Sequence, residues 1–312
     1  MKRRIDLLTA IVLITPLAIL LLFGLPVGIG IASDQAKPVV KHSLTTVASA
    51  TPVYPNGNDD TAALQAAYNA CCDGDILTLR ASPTCGKRFK IYGALNWTGT
   101  NNVNVDATGT ELYASMGLSG TQAMITWGAP LGQRMGGLRW TGGNIIGSLT
   151  LQNVSNSFVE PVGCCTLIFQ GDTFCSYNRI CIPGGINGGA GNNYAIIFNQ
   201  LNNAAWMNCN SFYDTPMHGA TAGGKPFATI WQVNPNATYA PGITMFYHCM
   251  FEASPTVMFN VPGNMSATFS DCYHEGQQQL GVLGSGASIT VRDPCGFPGT
   301  DSRLWIEGLR QR

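Results

Sequence analysis

A chain of 312 residues with 17 Lys+Arg, 17 Asp+Glu and zero net charge lacks the clustered cations that nucleic acid binding needs to displace counterions. Only 11% of its residues are charged, against about 25% in an ordinary soluble domain. Glycine reaches 37 residues and Asn, Thr and Ser are abundant, which points to many strands and tight turns, because Gly and Asn tolerate left-handed backbone. The first element in chain order is apolar. Lys2, Arg3 and Arg4 precede Asp6, and the 27 residues from Leu7 to Ser33 carry no charge. A bilayer takes about 20 such residues, and a signal-peptide core only roughly 7–15. The cations hold the N-terminus inside, so the rest of the chain is expected outside the cytoplasm, periplasmic or extracellular. Residues 1–33 therefore read as a transmembrane signal anchor, or as a signal peptide cleaved near Ala32 or Ser33, with the membrane as a partner through this helix. Residues 34–52, rich in Ser, Thr, Val and Ala with Pro38, read as a linker. Residues 53–312 read as one large β domain.

The leader Met1-Lys2-Arg3-Arg4-Ile5-Asp6-Leu7-Leu8, with Pro16 inside the apolar run, resembles the membrane segment that opens monotopic phosphoglycosyl transferases. The resemblance stops within the leader. No match to that family's soluble catalytic region follows, so it implies no chemistry. Beyond the linker, Asp59 or Asp60 caps a helix over Thr61-Ala62-Ala63-Leu64-Gln65-Ala66-Ala67-Tyr68, with Leu64, Ala67 and Tyr68 on one face. Gly74 closes this unit, and Ile76-Leu77-Thr78-Leu79 predicts a strand. The string from Asn56 through Asp59-Asp60 to Ala67, followed by Gly74-Asp75-Ile76-Leu77-Thr78-Leu79, resembles the opening of the pectate-lyase-like superfamily domain. The form is the rhamnogalacturonase/epimerase type also seen in phage tailspikes. The match is good over residues 53–80 and looser towards residue 115. It implies an all-β fold, a right-handed single-stranded parallel β-helix, in which this helix caps the N-terminal end. It also implies a polysaccharide-facing surface. Asp59 and Asp60 read as cap and turn residues rather than catalysts.

The C-terminal part carries a repeat of its own. Four segments share a pattern: Asn208-Cys209-Asn210-Ser211-Phe212, His248-Cys249-Met250-Phe251-Glu252, Asp271-Cys272-Tyr273-His274-Glu275 and Asp293-Pro294-Cys295-Gly296-Phe297. The last two cysteine intervals are 23 residues and the first is 40. Apolar strands at 195–199, 228–233, 256–261 and 280–283 precede or separate these segments, with turns at Asn234-Pro235-Asn236 and Pro262-Gly263-Asn264. A fixed period of about 20–50 residues marks a repeat architecture whose coils bury a continuous core. The longer interval would hold one coil and a loop around 219–226. Cys209, Cys249, Cys272 and Cys295 are expected to stack at one interior position, free of disulfides. Of the other cysteines among the chain's eleven, Cys71, Cys72, Cys85, Cys164, Cys165, Cys175 and Cys181 are the disulfide candidates. No zinc-type spacing of Cys or His occurs, so no metal or cofactor is expected.

Inward cysteines would turn their neighbours outward: Asn208, Asn210, His248, Met250, Asp271 and Tyr273, joined by Glu252 and Glu275 if the strands continue. A coil spacing of about 4.8 Å would set His248 beside Asp271 and Glu252 beside Glu275. Two carboxyl groups about 5–5.5 Å apart suit a retaining glycoside hydrolase, and their repulsion would keep one protonated. The expected catalytic residues are therefore Glu252, Glu275, Asp271 and His248. The expected substrate-binding residues are Tyr273, Asn208, Asp214 and His218, the last two overhanging from a loop. Trp206, Tyr213, Trp231 and Tyr247 offer sugar-stacking faces. The polygalacturonase motifs Asn-x-Asp, Asp-Asp, Gly-His-Gly and Arg-x-Lys are missing from these coils, as are the carboxylate cluster and arginine base of pectate lyases. The expectation is an extracellular polysaccharide-acting protein, a glycoside hydrolase or polysaccharide lyase. The alternative is a non-catalytic glycan-binding or cell-surface structural protein.

Overall fold

A computed structural model of the protein describes residues 51–115, 124–187, 194–202, 205–218, 229–233, 242–252, 256–261, 266–275, 278–283 and 288–292. The apolar leader, the turns at 234–236 and 262–264, and Cys295 lie outside these residues. Among the described residues no helix is long and apolar enough to cross a membrane.

The expected helix spans Thr61–Asn69 and buries Leu64 and Tyr68, four positions apart on one face. Asp60 precedes it but makes no side-chain cap bond to it. Its carboxylate is buried and accepts the backbone N–H groups of Asn56 at 2.8 Å and Lys90 at 2.9 Å. That fastens the helix start to the strand Arg88–Ile91. Asp59 accepts the N–H of Thr61 at 2.9 Å. Hydrogen bonds from the Thr61 side chain and then its backbone hold the Asp59 carboxyl below the usual range. Both aspartates are turn residues, as the sequence suggests.

The remainder is strand. Among the described residues one sheet has nine strands, all paired in parallel: Ile76–Thr78, Asn104–Asp106, Arg139–Thr141, Phe158–Glu160, Arg179–Cys181, Asn210–Tyr213, Ile243–Tyr247, Ser266–Ser270 and Ser288–Arg292. A second, also parallel, runs from Arg88–Ile91 through Glu111–Ala114, Asn144–Gln152, Gly163–Gly171, Tyr194–Gln200, Thr229–Val233 and Thr256–Val261 to Gln278–Leu283. Strands Leu95–Thr98 and Ile125–Gly128 join it beside its main path. The chain visits the sheets alternately. The four apolar strands expected before or between the cysteine segments all fall in the second sheet. Two smaller parallel sheets lie between them: Met135–Gly136 with Val154–Ser155, and Pro216–His218 with Met250–Glu252 and Tyr273–Glu275.

Like residues fill like interior positions. Trp97 stacks on Tyr68 at 5.7 Å and on Trp140 at 5.8 Å, while Trp127 meets Trp140 edge-on at 5.5 Å. Further along the chain the same role passes to phenylalanine: Phe169 on Phe198 at 4.9 Å, Phe212 on Phe246 at 5.0 Å, and Phe246 on Phe269 at 4.9 Å. All of these Trp and Phe side chains are fully buried. Aromatic pairs of this kind add about 0.5–1.5 kcal/mol beyond their burial. A polar ladder runs beside them. The Asn178 carboxamide accepts the Ser157 N–H at 3.2 Å and donates to Val154 O at 2.9 Å and Asn210 Oδ1 at 3.0 Å.

The expected cysteine stack is corrected here. Asn210 pairs with Thr244, 34 positions on, and Thr244 with Ala267, 23 positions on. Cys209 therefore lies at the start of its first-sheet strand, whereas Cys249 and Cys272 lie just past the ends of theirs. Thr215 holds the position equivalent to Cys249. Left-handed backbone turns the chain at both places. Asn156, Tyr177 and Cys209 have φ of 50°, 61° and 58° on the entry side, and Asp214, His248 and Asp271 have 45°, 51° and 52° on the exit side. Cys249 and Cys272 are buried on adjacent repeats, and burial pushes the Cys249 thiol up. The expected disulfide candidates Cys71, Cys72, Cys85, Cys164, Cys165, Cys175 and Cys181 are all free thiols.

Candidate functional site

The exit corner of the first sheet gathers most of the residues singled out in the sequence. Parallel register puts Tyr213 opposite Tyr247 and Tyr247 opposite Ser270. The next residues, Asp214, His248 and Asp271, thus form one row across three repeats. His248 Nδ1 lies 3.6 Å from Asp214 Oδ1, and His248 Nε2 lies 3.8 Å from Asp271 Oδ2. The three side chains are exposed, by 66%, 63% and 39% in row order. These distances exceed a hydrogen bond, and exposed pairs contribute only about 0–1 kcal/mol to stability. An imidazole between two carboxylates can be oriented by either of them.

Four residues further on, register makes a second row. His218 pairs with Glu252, and Glu252 with Glu275. Asp214 and His218 are thus not in an overhanging loop: they begin the two rows that His248–Asp271 and Glu252–Glu275 continue. The residues before the second row, Met217 and Phe251, are buried. Tyr273 pairs with Met250 between the two rows.

Two expected outward positions are corrected. Asn210 is fully buried as a rung of the polar ladder, with Nδ2 donating to Cys175 O at 3.0 Å. Asn208 is wedged beneath the next repeat: a Cβ on Gly242 would come within 3.0 Å of its Cβ, and its Oδ1 is buried without a partner among the described residues. Both shifts follow from the displaced cysteine register. Neither residue faces the corner.

Beside the rows lies a flat aromatic and cationic strip. Tyr213 and Tyr247 stack at 5.0 Å with planes 13° apart. The Arg179 guanidinium sits 4.6 Å from the Tyr213 ring centre and 5.6 Å from that of Phe158. Arg179 and Phe158 escaped the sequence reading. Their signal was present, since Phe158-Val159-Glu160 and Arg179-Ile180-Cys181 share an out-in-out alternation and pair directly. Burial, then Asp214 and Glu160, raise the Cys181 thiol, so it stays protonated and unreactive. Trp206 is exposed, away from this strip on the entry side, and the Trp231 side chain lies outside the described residues.

A separate depression of about 410 Å³ is lined by Lys87, Glu111, Asn144 and Asn187 among others. Arg88 and Lys87, at 2.8 and 3.0 Å, hold the Glu111 carboxyl below the usual range. It is a neutralised anion, poorly suited to proton donation. No protein-family model matches the chain, and neither a curated protein nor a solved structure matches it.

Proposed function

We propose that the protein is an extracellular polysaccharide-acting β-helix, a glycoside hydrolase or polysaccharide lyase whose site is the corner bearing the two titratable rows. The finer fold reading rests on the alternation of two long parallel sheets joined by short sheets at the bends. Crossovers between parallel strands are right-handed in about 98% of cases, so the coil is read as right-handed, with the helix Thr61–Asn69 as its N-terminal cap.

One observation carries the functional reading. Glu252 and Glu275 occupy directly opposed positions on neighbouring parallel strands. Glutamate is depleted in strands, and like charges directly opposed are destabilising. Stability therefore works against this pair, in a chain with only 11% charged residues. The first row is weaker support, because Asp and His are among the residues that best tolerate its left-handed backbone. Backbone spacing of about 4.8 Å suits the two-carboxyl chemistry of a retaining hydrolase. In this reading one glutamate protonates the leaving oxygen and the other attacks or stabilises the sugar. His248, flanked by Asp214 and Asp271, and Tyr273 orient the ring. Tyr213, Tyr247 and Arg179 form the platform along which the polymer lies.

The test is a polysaccharide panel with the purified protein, following reducing ends and ultraviolet-absorbing unsaturated ends together. New reducing ends alone mark a hydrolase; unsaturated ends mark a lyase. Glu252→Gln and Glu275→Gln are each expected to lower turnover at least about a hundredfold, the low end of acid–base contributions. Near-wild-type turnover in both variants would remove this corner as the catalytic site. The second reading is a non-catalytic glycan binder, favoured by the Tyr213–Tyr247 stack, which would serve binding without cleavage. It predicts no product from any polysaccharide, and loss of glycan affinity in the same two variants.

A further inference from the structure

The entry side of the first sheet carries a pocket of different character. It has a volume of about 360 Å³ and is lined by Arg134, Gly136, Ser155, Asn156, Phe174 and Tyr177. Its floor is Gly136 and Ser155, from the short pairing of Met135–Gly136 with Val154–Ser155 in which Met135 and Val154 are buried. A Cβ on Gly136 would approach Ser155 O to 3.1 Å and Ser155 Oγ to 3.2 Å, a tight fit that glycine avoids. One wall is aromatic. The Phe174 and Tyr177 rings stack at 6.0 Å with planes 26° apart. Trp206, bridged to Phe174 on the next repeat, is 61% exposed. Across the floor the Arg134 guanidinium lies 5.7 Å from the Phe174 ring centre.

Three features set this pocket apart from an ordinary surface dent. Large aromatic side chains are normally covered, yet Tyr177 and Trp206 are held in the open together. Tyr177 also adopts φ of 61° at a turn where Asn156 and Cys209 share left-handed backbone, so a bulky ring stands where a smaller residue is favoured. Arg134 is exposed and has no carboxylate partner among the described residues. The nearby Asp172 is committed elsewhere: it accepts the Gly132 N–H at 2.8 Å and the Asn153 side-chain amide at 2.8 Å.

We propose that this pocket is a binding subsite for a sugar ring bearing one anionic group, a carboxylate or a sulfate. The apolar face of the ring lies on Phe174, Tyr177 and Trp206. The planar guanidinium fork of Arg134 takes the anion through paired charge-assisted hydrogen bonds. The Asn156 carboxamide, exposed at the rim, serves the ring hydroxyls. The inference rests on the polysaccharide reading and deepens it, by assigning negative charge to the polymer and a second contact remote from the Glu252–Glu275 row.

Calorimetric titration of the purified protein separates the cases, using an alginate hexasaccharide for carboxylate, a carrageenan hexasaccharide for sulfate and an agarose hexasaccharide as the neutral ring. At least one anionic probe is expected to bind about tenfold or more tightly than agarose, the scale of a hydrogen bond to a charged group. Arg134→Ala should abolish that preference, and Arg134→Lys should restore only part, because a point charge lacks the fork. Tyr177→Asn keeps a residue that tolerates the left-handed backbone and removes the ring, so it should weaken anionic and neutral probes alike. If wild type prefers an anionic probe and Arg134→Ala keeps the same affinity, the pocket assignment is overturned while the polysaccharide reading stands. Equal binding of agarose also overturns it. If none of the three probes binds, the pocket assignment is overturned, and the polysaccharide panel decides the wider reading separately.

Discussion

Thr244 is a flaw in an otherwise satisfied ladder. Ser157, Asn178 and Asn210 hand hydrogen bonds from repeat to repeat, and Asn210 is paired in register with Thr244. Thr244 is fully buried, and its Oγ1 has no partner among the described residues. An unsatisfied buried hydroxyl costs about 1–3 kcal/mol, and an apolar group of the same shape removes that cost. Thr244→Val is therefore expected to stabilise the protein by about 1 kcal/mol, raising the urea midpoint with an unchanged slope. A lower midpoint would mean that the hydroxyl is bonded. The same register explains what cysteine spacing concealed. The dipeptide Phe212-Tyr213 recurs as Phe246-Tyr247 and again in part as Phe269-Ser270, and these positions pair directly. Large inward aromatics mark the repeat better than cysteine, which is small enough to suit several unrelated buried places. Aligned on Phe-Tyr, the sequence alone would have placed Asp214 with His248 and Asp271.

At the scale of elements, the helix Thr61–Asn69 ties into the first repeats rather than standing alone. Tyr68 lies on Trp97, and the Gln65 side chain receives the Asn96 N–H at 2.8 Å and donates to Asn96 O at 2.8 Å. The first strands of a stacked parallel sheet would otherwise present an open edge. Removing a buried aromatic side chain costs about 3–5 kcal/mol. Tyr68→Ala is accordingly expected to lose about 3 kcal/mol, read by chemical denaturation. A loss below about 1 kcal/mol would show that the helix is dispensable to the first repeats. This element was plain in the sequence, because helix propensity, face and flanking aspartates agree. The three-residue strands Pro216–His218, Met250–Glu252 and Tyr273–Glu275 were not separable from the strands before them. Each is too short for a periodicity of its own, and the bend that isolates it depends on a single left-handed residue.

For the whole molecule, low charge and abundant glycine announced strands and turns, and both long sheets follow. What composition could not supply was the length of each repeat. The 34-residue step from Asn210 to Thr244 and the 23-residue step that follows differ by an insertion that leaves the pairing intact. In the β-helix reading proposed above, each repeat touches only its neighbours and stability is distributed along one dimension. The interior divides along that dimension. Trp140 touches both Trp97 and Trp127 among the early repeats, while Phe169, Phe198, Phe212, Phe246 and Phe269 fill the later ones. With those two contacts at 5.8 and 5.5 Å, this immobilised indole group should give near-ultraviolet dichroism that reports chiefly on the early repeats. During denaturation that signal and the far-ultraviolet strand signal are expected to part company if the later repeats melt first. Coincident curves would instead mark the stack as a single cooperative body, with its optical reporter at one end speaking for the whole.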